Sequence, residues 1–120
     1  MRLSVVVDCT DPASLVPFWE AALDYRPAET IEGYAALVPK EGDAGPVLLL
    51  QQVPEAKVGK NRVHLDVHPK DAQGHVTALE RLGGRRLGGW VEDELESAGI
   101  RWQVMADPQG NELCVVDHVR

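Results

Sequence analysis

The chain has 120 residues, a hydrophobic fraction of 44% and a formal net charge of −7 at pH 7. That length bounds it to one domain with at most two subdomains, and the apolar fraction is enough for a real core. The acidic balance argues against nucleic acid and anionic membranes as partners; it serves solubility and mildly favours cationic ligands.

Residues 3–8 are rich in β-branched side chains and read as a buried strand. Strand-like sequence starts directly after Met1, which predicts no signal peptide and a cytoplasmic protein. Asp11 is a candidate N-cap, with Pro12 at the first helical position. Leu15, Phe18, Trp19, Ala22 and Leu23 then recur at helical spacing. Pro17 lies early enough in that helix to be tolerated. Residues 25–29 and 34–38 are short strand candidates around Glu32 and Gly33. Residues 47–52 form a stronger one, and 53–60 read as a connection. The longest aliphatic run, from Val47 to Leu50, is far too short to span a bilayer.

The order then repeats. Residues 62–67 predict a strand. Asp71 caps a helix with Ala72, Val76, Leu79 and Leu82 on one face, closed by Gly83 and Gly84. A further strand is expected at 85–87, an irregular segment or short helix at 88–99, and a strand at 100–105. Asp107, Pro108, Gln109 and Gly110 carry the letters of a type I turn. The last strand is expected at 112–116.

Residues 3–24 and 63–84 therefore share one plan at an offset of sixty positions, half the chain. Asp11 and Asp71 coincide, as do Glu20 and Glu80 and the apolar pairs Leu3/Val63, Val5/Leu65 and Val7/Val67. Each half reads βαβββ. The expectation is an α+β chain with module one at 1–53, a connection at 54–60 and module two at 61–120. Helices should lie outside a curved mixed sheet that surrounds a cleft.

The ordered set Asp11, Phe18-Trp19, Leu23-Asp24-Tyr25, Arg62 to Val67, Asp71, Leu79, Leu82-Gly83-Gly84 and Asp107 to Asn111 resembles the vicinal oxygen chelate superfamily. Within it the likeness is to glyoxalase-like, bleomycin-resistance-type proteins. It runs through nearly the whole chain and is most specific at the final turn and strand. The resemblance implies paired βαβββ modules. It also implies four metal-ligand positions, usually His, Gln or Glu. Carried onto this chain they fall at Ser4, at Leu49 or Gln51, at His64 and at Cys114. Ser4 is a poor ligand, and Cys114 stands where a carboxylate is expected. Glu112 shares the face of Cys114. This set is incomplete for a hard divalent ion; zinc would accept His64, Cys114 and Glu112. The expectation is therefore no resident cofactor, with a divalent metal as the departure from it.

On a strand through 62–68, residues 64, 66 and 68 point one way and 63, 65 and 67 the other. His64, Asp66 and His68 should face the cleft, with the apolar set toward the helix. An Asp beside a His can fix its tautomer, giving a metal-free acid–base pair. The alternative to a pocket is a solvated strand face with scattered polar residues. Cys9 and Cys114 suggest no disulfide framework, and Cys114 alone reads as a small buried hydrophobe. Trp19 reads as core. Trp102 lies on the penultimate strand. Trp90 precedes Glu92, Asp93, Glu94 and Glu96, where it could close over a pocket or anchor the segment. Lys57, Lys60 and Arg62 form a local basic run, read as solvated connection.

The reading is a small-molecule-binding protein that holds an apolar or aromatic compound, its site drawn from Ser4, Gln51, His64, Asp66, Trp90, Trp102, Glu112 and Cys114. The alternative is a lyase, isomerase or dioxygenase-like enzyme that uses His64 on a small oxygenated substrate. A homodimer is expected, because half-chain modules leave sheet edges to cover.

Overall fold

A computed structural model describes residues 1–92 and 99–119. The chain divides into two compact units, Met1–Val58 and Gly59–Arg120. The first runs β1 (Ser4–Cys9), α1 (Pro12–Leu23), β2 (Tyr25–Ile31), β3 (Tyr34–Pro39) and β4 (Val47–Gln52). The second runs β5 (Leu65–Val67), α2 (Ala72–Arg81), β6 (Arg85–Arg86), β7 (Val91–Glu92), β8 (Ile100–Ala106) and β9 (Glu112–His118). The sheet orders are β1-β4-β3-β2 and β5-β9-β8-β6, with β7 also pairing β8. In each, the first strand lies parallel to the last, and the remaining pairs are antiparallel. The fold is α+β, and the repeat seen in the letters is a repeat of topology.

In the first unit, Asp11 is extended (φ −142°, ψ 92°) and Pro12 opens α1. The Asp11 side chain makes no capping bond to the helix. Ser14 Oγ instead donates to the Asp11 carbonyl at 2.9 Å. The helix stops at Asp24, whose φ of 54° is left-handed. Asp tolerates that region better than most side chains, and Lys40 Nζ pairs with its carboxylate at 2.6 Å. Leu15, Phe18, Trp19 and Ala22 are buried, as their spacing requires. Phe18 and Trp19 meet edge to face, with centroids 5.4 Å apart. The helix packs on β2, β3 and β4, where Ala35, Leu37, Leu48 and Leu50 are also buried.

The second unit uses firmer punctuation. Asp71 Oδ1 accepts the Gly74 N–H at 3.0 Å, so this aspartate does cap its helix. Ala72, Val76 and Leu79 are buried, and α2 packs on β9. Leu82, expected on that face, is 38% exposed because it is already the C-cap. The Gly84 N–H returns to the Leu79 carbonyl at 3.0 Å. Gly83, at φ 91°, makes that reversal possible, and a Cβ there would crowd Pro108.

The strand expected at 62–67 begins only at Leu65. Asn61 is the cause. Its backbone N–H and side chain are held by Glu112, and its Nδ2 also donates to the Val63 carbonyl at 3.2 Å. Residues 61–63 are taken up by these bonds and not by the ladder. Val63, expected to face the helix, is 81% exposed. Leu65 and Val67 are half-buried and Asp66 is exposed, so the alternation holds within β5 itself.

The final turn is built around one buried carboxylate. Gly110 N–H donates to the Asp107 carbonyl at 2.9 Å. Asp107 Oδ1 accepts from the backbone N–H groups of Gln109 and Asn111 at 2.8 and 2.9 Å. Its other oxygen takes Asn111 Nδ2 at 3.2 Å. This aligns β9 beside β8 and so places Cys114 in register with Val104.

Candidate functional site

Parallel pairing of β5 with β9 sets Asp66 opposite Cys114. His64 stands just before β5, two residues from Asp66 and hence toward the same side. His64 Nδ1 lies 3.1 Å from Asp66 Oδ1. With Nδ1 as the donor, Nε2 is left as the acceptor of the neutral ring. The Cys114 thiol also bonds Asp66. Asp66 thus accepts from both neighbours, and one potential ligand atom from each of the three residues lies within 4.8 Å of the others. His64 and Asp66 are exposed, whereas Cys114 is buried at their back.

Burial pushes the Cys114 thiol up to about 11, and the Asp66 carboxylate adds to the rise through its charge and hydrogen bond. The thiol is therefore a proton-bearing donor at neutral pH, not a nucleophile. It supports Asp66, which in turn orients His64. A buried thiol, a shared carboxylate and an exposed imidazole form a small polar anchor suited to a ligand with hydrogen-bonding oxygen or nitrogen.

The same donor set has a second chemical use. One imidazole, one carboxylate and one thiolate suit zinc, which accepts three protein ligands and keeps a fourth position open. Ligand atoms in such a tetrahedron lie about 3.3–3.8 Å apart. The ion would also have to displace the thiol proton, which binding to a metal favours.

Glu112 takes a different part. Its carboxylate accepts Lys60 Nζ at 3.1 Å and the Asn61 N–H at 2.8 Å. The metal-capable group among the described residues is His64, Asp66 and Cys114, with Asp66 where the sequence offers Glu112. Register separates the two, because β5 pairs Asp66 with Cys114 directly. Sequence spacing gives the alternation on each strand but not which carboxylate of two lies across the ladder.

The remaining candidates lie elsewhere. Ser4 and Gln51 belong to the first unit, on β1 and β4. Ser4 lines a hollow of about 370 Å³ with Leu3, Gly45 and Pro46. Gln51 lines another of about 350 Å³ with Gly33, Tyr34 and Pro54. Arg101 Cζ sits 4.2 Å over the Trp90 ring and Arg101 Nε donates to Asp117 at 2.8 Å, so Trp90 is tied to β8. Of the acidic residues after it, Asp93, Glu94 and Glu96 lie outside the described residues. Trp102 is half-buried, between Val91 and Val116 in the sheet. Lys60, read as solvated, is the partner of Glu112.

The profile of the glyoxalase-like domain family matches residues 4–116. The chain belongs to the glyoxalase-like domain family. No curated protein matches it. A glyoxalase/bleomycin resistance protein/dioxygenase family enzyme from Burkholderia phytofirmans PsJN superposes with a TM-score of 0.76 at 14% identity, over 98% of this chain and 99% of that one. The fosfomycin resistance protein FosX from Mesorhizobium loti gives 0.72 at 12%, over 97% and 90%. TioX from Micromonospora sp. ML1 gives 0.65 at 16%, over 98% of each. These likenesses establish the glyoxalase-like fold, whose members include enzymes and resistance proteins.

Proposed function

We infer that this glyoxalase-like chain binds a small molecule through His64 and Asp66, sequestering it without a resident metal. The observation that carries the reading is the shared hydrogen bonding of Asp66 to His64 and Cys114. It presents an oriented imidazole and a carboxylate at the surface, with the thiol held protonated behind them. The acidic balance of the chain favours a ligand with a cationic or hydrogen-donating group beside its apolar or aromatic body. One structural neighbour is a fosfomycin resistance protein, so a resistance role is an analogy open to this chain. Assembly as a homodimer belongs to this reading.

The test is a thermal-shift screen of aromatic and cationic small molecules against the parent, His64→Ala and Asp66→Asn. Hits should stabilise the parent by mass action and lose at least tenfold in affinity with either variant. Hits that bind all three proteins alike defeat the assignment.

A second reading is favoured by the donor set itself. His64, Asp66 and Cys114 would hold zinc, which would supply a Lewis acid for an oxygenated substrate. Cys114 would give up its proton on loading. Metal analysis after dialysis separates the readings: one tightly held zinc per chain supports the enzyme, and a substoichiometric content supports the binder.

A further inference from the structure

A second pair of nitrogen donors lies further along the same two strands. His68 follows β5 directly, and His118 closes β9. On β9, Cys114, Val116 and His118 alternate to one side; Asp66 and His68 do so on and after β5. His68 Nδ1 is 2.8 Å from His118 Nε2. The ring centroids are 5.1 Å apart with planes tilted by 34°. Both rings are exposed, so an ion can reach them from solvent. The backbone beneath His118 is fixed, since it pairs with Ile100 and the next N–H, that of Val119, bonds the Gly99 carbonyl at 2.8 Å.

Two imidazole nitrogens this close must share one proton, because two N–H groups or two lone pairs would repel. A metal ion can take the place of that proton. Two metal–nitrogen bonds of about 2.0–2.1 Å span about 2.9 Å at a right angle and about 3.4 Å at the tetrahedral angle. The present 2.8 Å is the length of the hydrogen bond between the rings, and an ion would replace it with one of these spans. Imidazole pairs suit nickel(II) and copper(II) as well as zinc(II). The rings now point head to head, and each must pivot to aim at a common ion. Exposure makes that pivot inexpensive.

We propose that His68 and His118 form a two-imidazole chelate for a divalent transition-metal ion such as nickel(II), separate from His64, Asp66 and Cys114. Water would fill the remaining positions. The site stands independently of the binding reading above, since neither imidazole belongs to the anchor.

The experiment is calorimetric titration of nickel(II) into tag-free protein. Nickel is the probe because it does not oxidise the cysteine thiols, as copper(II) can. Four proteins are compared: the parent, His68→Ala, His118→Ala, and the double variant His64→Ala/Cys114→Ala. The parent and the double variant should each bind one equivalent with affinities within about threefold of each other. Each single histidine variant should lose at least tenfold. Where an alanine variant fails a melting check, His68→Gln or His118→Gln replaces it, since glutamine keeps the polar contact but supplies no imidazole. A loss below tenfold in either histidine variant overturns the site. Loss in the double variant instead assigns the ion to the other group.

Discussion

The carboxylate of Glu112 accepts the backbone N–H of Asn61 at 2.8 Å, which ties the start of β9 to the segment that leads into β5. Glu112 is buried, whereas its ion-pair partner Lys60 is 74% exposed. The two ends of that pair should therefore have unequal worth. Glu112→Ala removes a charged acceptor from a part-buried backbone donor and should cost about 2 kcal/mol. Lys60→Ala leaves the backbone bond in place and should cost under about 1 kcal/mol, screened by solvent. Urea denaturation measures both; equal losses would mean that the ion pair, and not the backbone bond, is what holds the segment.

Cys114 gives stability a pH dependence of predictable sign. Its native thiol stays protonated to about 11, above the ordinary value of 9.0. The native state therefore binds the proton more tightly than the unfolded chain. The stabilisation is complete below pH 9.0 and is lost as pH rises toward about 11. The loss is at most roughly 2–3 kcal/mol from a shift of that size. Cys114→Ala should flatten this part of the profile relative to the parent. Parallel curves for the two proteins through that window would refute the assignment.

The same protonated thiol should be sluggish toward alkylation. At pH 8 its thiolate fraction is about a hundredfold below that of an unperturbed thiol, before burial slows access further. Mass mapping after iodoacetamide should show Cys114 essentially unlabelled in the native protein and labelled on denaturation. Rapid native labelling would place the thiol in a solvated environment.

The strand entry supplies a mutational contrast. Val63→Asp should change stability by less than about 0.5 kcal/mol, because Val63 is already in water. Leu65→Asp should cost about 2–3 kcal/mol, because Leu65 is half-buried beside Leu113 in the ladder. His64→Ala should melt close to the parent. Strong destabilisation by Val63→Asp would show that residues 61–63 join the strand in solution.

The proposed homodimer is checked by light scattering across a wide concentration range. A dimeric mass that persists on dilution is the expected result. A monomeric mass throughout would remove assembly from the functional reading.

Much of the fold was legible because it rests on periodic and local signals. Leu15, Phe18, Trp19 and Ala22 announce a helix by spacing, and the letters of Asp107 to Gly110 announce their turn. What eluded the sequence depends on contacts between distant segments. The start of β5 is set by Glu112, about fifty residues away, so residues 62–64 look like strand but are not. Whether Asp66 or Glu112 joins Cys114 is likewise settled by cross-strand register, which no local pattern encodes. The coincidence of Asp11 with Asp71 was visible at the offset of sixty, but the hydrogen bonds of Asp66 to His64 and Cys114 were not.

Pro27 has a consequence for solubility. It sits on β2, an outer strand of the first sheet, with a register shift between Pro27 and Thr30. An edge interrupted by a residue with no N–H and by a shift in pitch cannot template a flat incoming strand. Among the described residues, the outer strands β5, β6 and β7 of the second sheet offer three, two and two residues, too little to recruit a neighbour. In the first sheet the other outer strand is β1, six residues long with Val6 half exposed, an edge where a misfolded or crowded chain could stack. A lysine at Val6 is thus the single change most apt to keep concentrated solutions clear.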